Sequence, residues 1–274
     1  MSLIVLTSAS GSPGVTTTAL GLALTWPRPA ILVDADPTGA SAVAAGYLRG
    51  EVLLPEAMIE LALAQREGQL LEAVARLALP LPGCGVRFVP GIRSHEQAPS
   101  LVGLWEPLSD VLRSFDTTGQ DVIVDAGRLG LVGSPDPVLD AADMAIVVVR
   151  SDMVALSGAR SWIETLCTRF ERGGAARALA VLLVGERAPF GARDIARALA
   201  LPVVATVAWD PANAAVLSRG ELPPRAGIWQ RLAGRSGWED SVLLGTLRAA
   251  GSAIRGTVLA DIEMLQGAEG RSPA

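Results

Sequence analysis

One turn organises the sequence: Ser8-Ala9-Ser10-Gly11-Ser12-Pro13-Gly14-Val15-Thr16-Thr17-Thr18. An apolar run at residues 3–6 precedes it, and an alanine- and leucine-rich run at residues 19–24 follows it. This order predicts a strand, a glycine-bearing turn and a helix. In such a turn, backbone N–H groups and the helix N-terminus can face a phosphate group. The alternative is a tight strand-to-helix turn that binds nothing.

Seven short, β-branched apolar runs alternate with helix-length segments along the chain. The runs are residues 3–8, 30–34, 86–90, 121–125, 144–149, 179–184 and 202–207. Continuous apolar runs are typical of parallel strands that are buried on both faces. The segments between them include residues 56–79, 101–114, 155–170 and 191–198. This pattern predicts an α/β fold with a mostly parallel sheet of seven or eight strands and helices on both faces.

We expect a single domain at residues 1–266, which includes a C-terminal helix, and a flexible tail at residues 267–274. The helix is predicted at residues 241–266, where apolar residues recur at steps of three and four. Its polar side mixes Arg248 and Arg255 with Asp261 and Glu263. A membrane-surface helix would carry several basic residues, so we interpret this one as docked on the core or forming a dimer.

Acidic residues follow two of the predicted strands. Asp34 ends the second strand and Asp36 lies two residues later, whereas Asp125 ends the fourth. Ligands of open α/β sheets bind at the carboxyl ends of the strands, so these side chains lie where chemistry is expected. An aspartate at a strand end is also a common turn former or helix cap, and that alternative remains open for each residue.

The turn resembles the P-loop of the ParA/MinD-like P-loop ATPases (SIMIBI class), whose pattern reads G-K-G-G-x-G-K-[ST]-[ST]. Ser10 stands at the first lysine of that pattern and Val15 at the second, phosphate-binding lysine, while Thr16 keeps the hydroxyl that reaches Mg²⁺. The chain contains no lysine at all. An arginine is not a simple replacement, because its planar guanidinium is larger than a lysine ammonium. The resemblance therefore implies a degenerate member; the CpaE/TadZ branch also often lacks the second lysine, although it usually keeps a basic residue at the position of Ser10.

The resemblance also implies roles for individual residues. Asp34 and Asp36 lie in a segment similar to the family's D-x-D-P-x-G, in which the first aspartate lies near the metal and the second places the attacking water. Asp125 is similar to a Walker B aspartate, so the implied metal ligands are Thr16, Asp34 and Asp125, and Asp36 is the catalytic residue if the protein is active. The implied nucleotide-binding residues are Gly11, Ser12, Pro13, Gly14, Val15, Thr16, Thr17, Glu186 and Asp210. Glu186 replaces the asparagine that contacts adenine in the family, and Ala208 replaces a proline two residues before Asp210.

Composition excludes several other classes. The 274 residues have a net charge of −5, which does not favour general nucleic-acid binding. Cys84 and Cys167 form no metal-ligand pattern, and His95 is the only histidine. No signal peptide is recognisable and no apolar run reaches about 20 residues, so we expect a cytoplasmic protein without a membrane partner.

Three functional hypotheses follow. The first is a spatial organiser or scaffold that dimerises, binds an unknown protein partner and hydrolyses ATP poorly or not at all, a pseudo-ATPase. The second is an active ATPase in which an arginine, with Arg128, Arg150 and Arg187 as candidates, replaces the lysine. The third is a protein that binds ATP and Mg²⁺ without turnover to fix its homodimer. Trp209, Trp229 and Trp238 are expected to pack the domain or a partner.

Overall fold

The computed structural model describes residues 2–39, 41–115, 119–174, 178–186, 190–224 and 237–269. In this part of the chain, eight strands form one sheet in the order β3-β4-β2-β5-β1-β6-β7-β8. The strands are β1 Leu3–Ser8, β2 Ala30–Asp34, β3 Leu79–Pro80, β4 Val86–Val89, β5 Asp121–Arg128, β6 Met144–Arg150, β7 Leu179–Val184 and β8 Val203–Val207. Every pair is parallel except β3 and β4. The predicted α/β fold is therefore confirmed, and the extra strand β3 is only two residues long.

The helices lie between the strands, as predicted, but some of their bounds differ. They are α1 Val15–Thr25, α2 Ala57–Arg66, α3 Leu70–Leu77, α4 Trp105–Ser114, α5 Asp136–Asp140, α6 Met153–Arg172, α7 Ala192–Leu199, α8 Pro211–Arg219 and α9 Val242–Glu269. The prediction of one helical segment at residues 56–79 was wrong. Gly68 has a φ of +71°, which a continuing right-handed helix does not allow, so α2 and α3 are separate.

Alternate residues of the central strands point into two hydrophobic layers. In β1, Leu3 and Val5 belong to a layer that α2 to α7 cover, while Ile4 and Leu6 belong to a layer that α1, α8 and α9 cover. Because strand side chains alternate between faces, an apolar residue at every position requires helices on both sides. This arrangement confirms the prediction of a doubly covered sheet.

Helix α9 docks on the core through the face that its periodicity predicted. A Cβ atom at Gly21 of α1 would come within 2.5 Å of Leu247, and one at Gly251 would come within 3.1 Å of Trp26, so glycines allow the two helices to approach closely. The helix continues to Glu269, three residues beyond the predicted end at residue 266. Residues 270–274 of the expected tail lie outside the described part. No described helix combines the length and the apolar character that crossing a bilayer requires.

A buried carboxylate joins the start of β5 to α1 and α9. Asp121 is fully buried, and its two oxygens accept hydrogen bonds from the Trp26 indole N–H at 2.8 Å and from the Ser2 backbone N–H at 2.9 Å. The guanidinium groups of Arg28 and Arg255 lie 3.7 Å and 3.9 Å from the Asp121 carboxylate oxygens. Charged groups are rarely buried unless they are paired and hydrogen-bonded, and here both conditions are met.

Candidate nucleotide site

The turn between β1 and α1 has the backbone conformation of an anion-binding loop. Gly11, Ser12 and Gly14 have φ values of +76°, +44° and +93°, which place all three in the left-handed region. Glycine adopts this region without a steric penalty, which explains its use at two of the three positions. Gly14 is the N-cap of α1 and offers no side chain to the first N–H groups, and the first turn has no acidic residue. These N–H groups and the positive end of the helix dipole are therefore available to an anion.

Neither lysine position of the turn offers a substitute cation. Val15 is 6% exposed and packs in the hydrophobic layer of α1, so its side chain contributes to the core. Ser10 lies against α6, where a Cβ atom at Gly158 would come within 2.1 Å of the Ser10 hydroxyl oxygen. Gly158 thus allows α6 to contact the turn closely. The turn can offer backbone dipoles and hydroxyl groups to a phosphate, but no charged side chain.

Three carboxylates meet at the carboxyl ends of β2 and β5. Asp34 and Asp125 are register partners in these adjacent strands, and they are 4% and 2% exposed. Asp36 lies against Gly127, where a Cβ atom would come within 2.5 Å of the Asp36 carboxyl carbon. Gly91 makes similar room for Asp34, because a Cβ atom there would come within 2.8 Å of the Asp34 carboxyl carbon. The sequence placed each aspartate at a strand end, and the fold brings the three side chains into one cluster.

The cluster is electrostatically unfavourable without a cation. Burial above all, together with the charge of Asp36, raises the pKa of Asp34 to about 6, although hydrogen bonds from Ser41 and the Asp36 N–H act in the opposite direction. Burial, and then the charge of Asp34, raises the pKa of Asp125 to about 7, although the Thr16 hydroxyl and the Gly127 N–H act in the opposite direction. Both carboxyls therefore favour the protonated form far more than a carboxyl in water does.

One oxygen of the cluster has no partner in the described structure. Oδ1 of Asp125 accepts a hydrogen bond from the Gly127 N–H at 3.0 Å, but the buried Oδ2 has no hydrogen-bond partner. An orphaned carboxylate oxygen beside a threonine hydroxyl fits a hard cation such as Mg²⁺. The described residues contain no group of three or more acidic, histidine or cysteine side chains arranged to hold a metal alone. An ion here would need water and phosphate oxygens as further ligands, which is the usual mode of Mg²⁺ binding.

A cavity of about 310 Å³ lies beside the turn. Its lining residues come from the turn and α1, and from the end of β8, α8 and the start of α9. The predicted nucleotide-binding residues that line it are Ser12, Pro13, Gly14, Thr17 and Asp210. The Asp210 carboxylate is already engaged, since it caps α8 by accepting hydrogen bonds from the backbone and side-chain amides of Asn213 at 3.2 Å and 2.7 Å. Asp210 shapes the wall but has limited capacity to contact a ligand.

Trp209 lines the cavity, a position that no sequence pattern predicted. It is 43% exposed, so it does not pack the domain, whereas Trp238 packs against the layer of α1, and Trp229 lies outside the described residues. The guanidinium carbon of Arg150 lies 4.2 Å from the centre of the indole ring, and Arg150 also pairs with Asp152 at 3.7 Å. Gly185 has a φ of +70°, and a Cβ atom there would come within 2.9 Å of Trp209. The ring therefore has Arg150 over one face and Gly185 against its base, which leaves the other face for a ligand.

Comparison with solved structures identifies this arrangement. The MinC:MinD cell division protein complex of Aquifex aeolicus matches with a TM-score of 0.66 at 16% identity, covering 93% of this chain and 96% of that chain. A ParA family ATPase from Chlorobium tepidum matches with a TM-score of 0.64 at 16% identity, and the match covers 91% of this chain and 97% of that chain. The septum site-determining protein MinD with Mg-ADP from Pyrococcus horikoshii matches with a TM-score of 0.61 at 17% identity, and the match covers 90% of this chain and 93% of that chain. The chain has the ParA/MinD fold. No protein-family profile and no curated protein sequence matches it significantly.

Several predicted residues lie elsewhere in this ParA/MinD fold. Oε1 of Glu186 accepts a hydrogen bond from the Ala192 N–H at 2.7 Å, and Glu186 does not line the cavity. The reason is local, because the first N–H groups of α7 need an acceptor and a carboxylate suits the positive end of the helix dipole. Arg128 lies beside a separate small hollow with Asp136, and Arg150 stacks on Trp209. Arg187, the third candidate cation, lies outside the described residues.

Proposed function

We propose that the chain is a spatial organiser or scaffold of the ParA/MinD type with a degenerate nucleotide site. It would bind a nucleotide with Mg²⁺ beside the turn, form a homodimer in the cytoplasm, and act through a protein partner while hydrolysing ATP slowly or not at all. Support comes from solved structures of the same fold, one of which is a MinC:MinD complex and another of which holds Mg-ADP. The observation that carries the proposal is a turn whose backbone can face an anion but which holds no charged side chain.

The physical argument for weak hydrolysis rests on charge. A transferring phosphoryl group spreads negative charge over its oxygens, and positioned cations stabilise that charge in the transition state. Val15 is buried in the core and Ser10 is neutral, so the turn supplies none of this stabilisation. Each factor of ten in rate is roughly 1.4 kcal/mol, so the loss of a positioned cation should lower the rate by several powers of ten.

Binding is expected to survive better than hydrolysis. The N–H groups of the turn remain free of side-chain caps, and the cavity beside them has room for a ligand. Mg²⁺ would be held by Thr16 and Asp125 with Asp34 nearby, and it would neutralise both the phosphates and the carboxylate cluster. The positive charge missing from the loop makes this binding strongly dependent on the metal.

The proposal is tested by steady-state phosphate release from ATP with Mg²⁺. We expect the wild-type protein and the Asp36→Ala variant to give the same background trace, because a site without the lysine gains little from a positioned water. In parallel, calorimetric titration with ATP, ADP and GTP, with and without Mg²⁺, should show binding that requires the metal. A wild-type protein that binds none of these would contradict the proposal.

The active ATPase remains the second candidate, and one observation favours it. Asp36 lies against Gly127 in the carboxylate cluster, where a water-positioning carboxylate would be useful. Under this alternative, the wild-type protein would release phosphate well above background and Asp36→Ala would lose that activity. The same assay therefore separates the two candidates.

Replacing Trp209 tests whether the cavity holds a nucleobase. Stacking of a base on an aromatic side chain contributes about 1–3 kcal/mol, so Trp209→Ala should weaken binding of Mg-ADP by roughly tenfold or more. Trp209→Phe keeps an aromatic face and should lose less. The measurement is calorimetry, supported by quenching of tryptophan fluorescence that disappears in both variants. Equal dissociation constants for the wild type and Trp209→Ala would show that the base does not stack there.

A further inference from the structure

The cavity needs a cation, and the turn does not supply it. Any nucleotide is anionic at neutral pH, and the nearby cluster of Asp34, Asp36 and Asp125 repels it further unless a metal intervenes. Arg150, which lies at the same edge of the sheet, is held by the Trp209 ring and by Asp152. An additional positive group must therefore come from elsewhere in the wall.

Arg219 lies where such a group is needed. It is the last residue of α8, and within the described part of the chain it is the one basic residue that lines the cavity beside the turn. Its side chain is 76% exposed, and its ion pair is with Glu221, two residues away, at 3.9 Å. An exposed ion pair of this kind contributes little, so the guanidinium can exchange Glu221 for a ligand at small cost.

The backbone that supports Arg219 is fixed, although the side chain is not. A Cβ atom at Gly46 would come within 2.4 Å of the Ser218 carbonyl oxygen, and one at Gly220 would come within 2.6 Å of the Gly46 carbonyl oxygen. Glycines thus allow the end of α8 to pack directly on the backbone of the π-helical segment Val43–Tyr47. The backbone around Arg219 is therefore closely packed at the cavity wall, whereas its guanidinium is mostly exposed.

We infer that Arg219 binds a phosphate group of the nucleotide, supplying from the cavity wall the positive charge that the turn lacks. This inference rests on the proposed nucleotide binding. A guanidinium can donate two parallel hydrogen bonds to a phosphate, which suits binding from the side. Because α8 carries this side chain and the turn does not, we expect it to favour ligand binding more than the transfer of a phosphoryl group.

The test measures the affinity of Mg-ADP and of uncharged adenosine by calorimetry for the wild type, Arg219→Ala, Arg219→Lys and a control, Arg197→Ala. Arg197 lies on α7 and matches Arg219 closely, with 81% exposure and an ion pair to Asp194 at 3.8 Å. A hydrogen-bonded charge pair lost from a site typically reduces affinity by about ten- to a hundredfold. We expect that loss for ADP in Arg219→Ala, a smaller loss in Arg219→Lys, and none in Arg197→Ala or for adenosine. Unchanged melting temperatures would show that the variants are folded.

The possible results separate the inference from the proposed function. If the wild type binds Mg-ADP and Arg219→Ala binds it equally well, the inference is overturned and nucleotide binding stands. If Arg219→Ala weakens the binding of adenosine as much as the binding of ADP, the side chain acts by packing on the nucleoside, and the inference is again overturned. If the wild type binds neither ADP nor ATP with Mg²⁺, the proposed function fails and this inference with it.

Discussion

Without ligand at pH 8, the Asp125→Asn variant should melt about 10 °C above the wild-type protein. Asp125 and Asp34 are adjacent, buried carboxylates, and burial is the main reason why the pKa of Asp125 rises from its ordinary value of 3.8 to about 7 and that of Asp34 to about 6. At pH 8 both are charged at a cost in folding free energy. For Asp125, the rise in pKa from 3.8 to about 7 corresponds to a loss of roughly 4 kcal/mol in the free energy of unfolding at pH 8, and 1 kcal/mol shifts the melting temperature by about 2–4 °C for a protein of this size.

The same shifts determine how stability depends on pH. Between about pH 4 and pH 7, these carboxyls hold more protons in the native state than in the unfolded state. The free energy of unfolding of the wild type should therefore fall as the pH rises through this window, and then level off. Urea denaturation at several pH values measures this slope. Asp125→Asn should have a shallower slope because it lacks one of the two titrating groups.

Asparagine is a suitable replacement because its side-chain oxygen can still accept the hydrogen bond from the Gly127 N–H. The control is Asp110→Asn, an exposed residue on α4. It should change the melting temperature by little. Parallel pH profiles for the wild type and Asp125→Asn would contradict the argument that the cluster stores unfavourable charge.

The stabilised variant should also lose its metal-dependent binding of nucleotide. Asp125 provides the orphaned oxygen that fits Mg²⁺, and a neutral amide is a weaker ligand. A substitution that raises stability while it removes ligand binding is the expected behaviour of a functional residue. If Asp125→Asn raised stability and left Mg-ADP binding unchanged, the metal would have to be held without Asp125.

The sequence contained enough information for the sheet because each long strand is a continuous apolar run. β3 was missed because two residues have no periodicity, and their pairing with β4 is a tertiary contact. The aspartates were found for a similar reason, since their position follows directly from a strand end. Arg219 and Trp209 could not be found in this way. They border the same cavity as the turn because α8 packs in the layer of α1, which no local pattern encodes.

Glu186 shows that an acidic residue after a strand can have a second role. It follows β7 at the edge of the sheet where ligands bind, and its carboxylate accepts a hydrogen bond from the N-terminus of α7. Competition between a local helix cap and a distant ligand is decided by geometry. An acidic residue at a strand end can cap a helix or contact a ligand, and its role must therefore be determined for each residue of this fold. Asp210 caps α8 as well, and still lines the cavity.

The largest loss of stability is expected from Asp121→Ala, far from the proposed site. This substitution leaves the Trp26 indole N–H and the Ser2 N–H without their buried acceptor and the guanidinium groups of Arg28 and Arg255 without their partner. Removing one side of a buried, hydrogen-bonded charge pair typically costs about 3–5 kcal/mol. The midpoint of urea denaturation should fall accordingly, with no change in its slope. Asp110→Ala, on the exposed face of α4, should stay within about 0.5 kcal/mol of the wild type. Because Asp121 joins β5 to α1 and α9, a wild-type midpoint for Asp121→Ala would mean that hydrophobic contacts such as Gly21 with Leu247 hold the C-terminal helix without it.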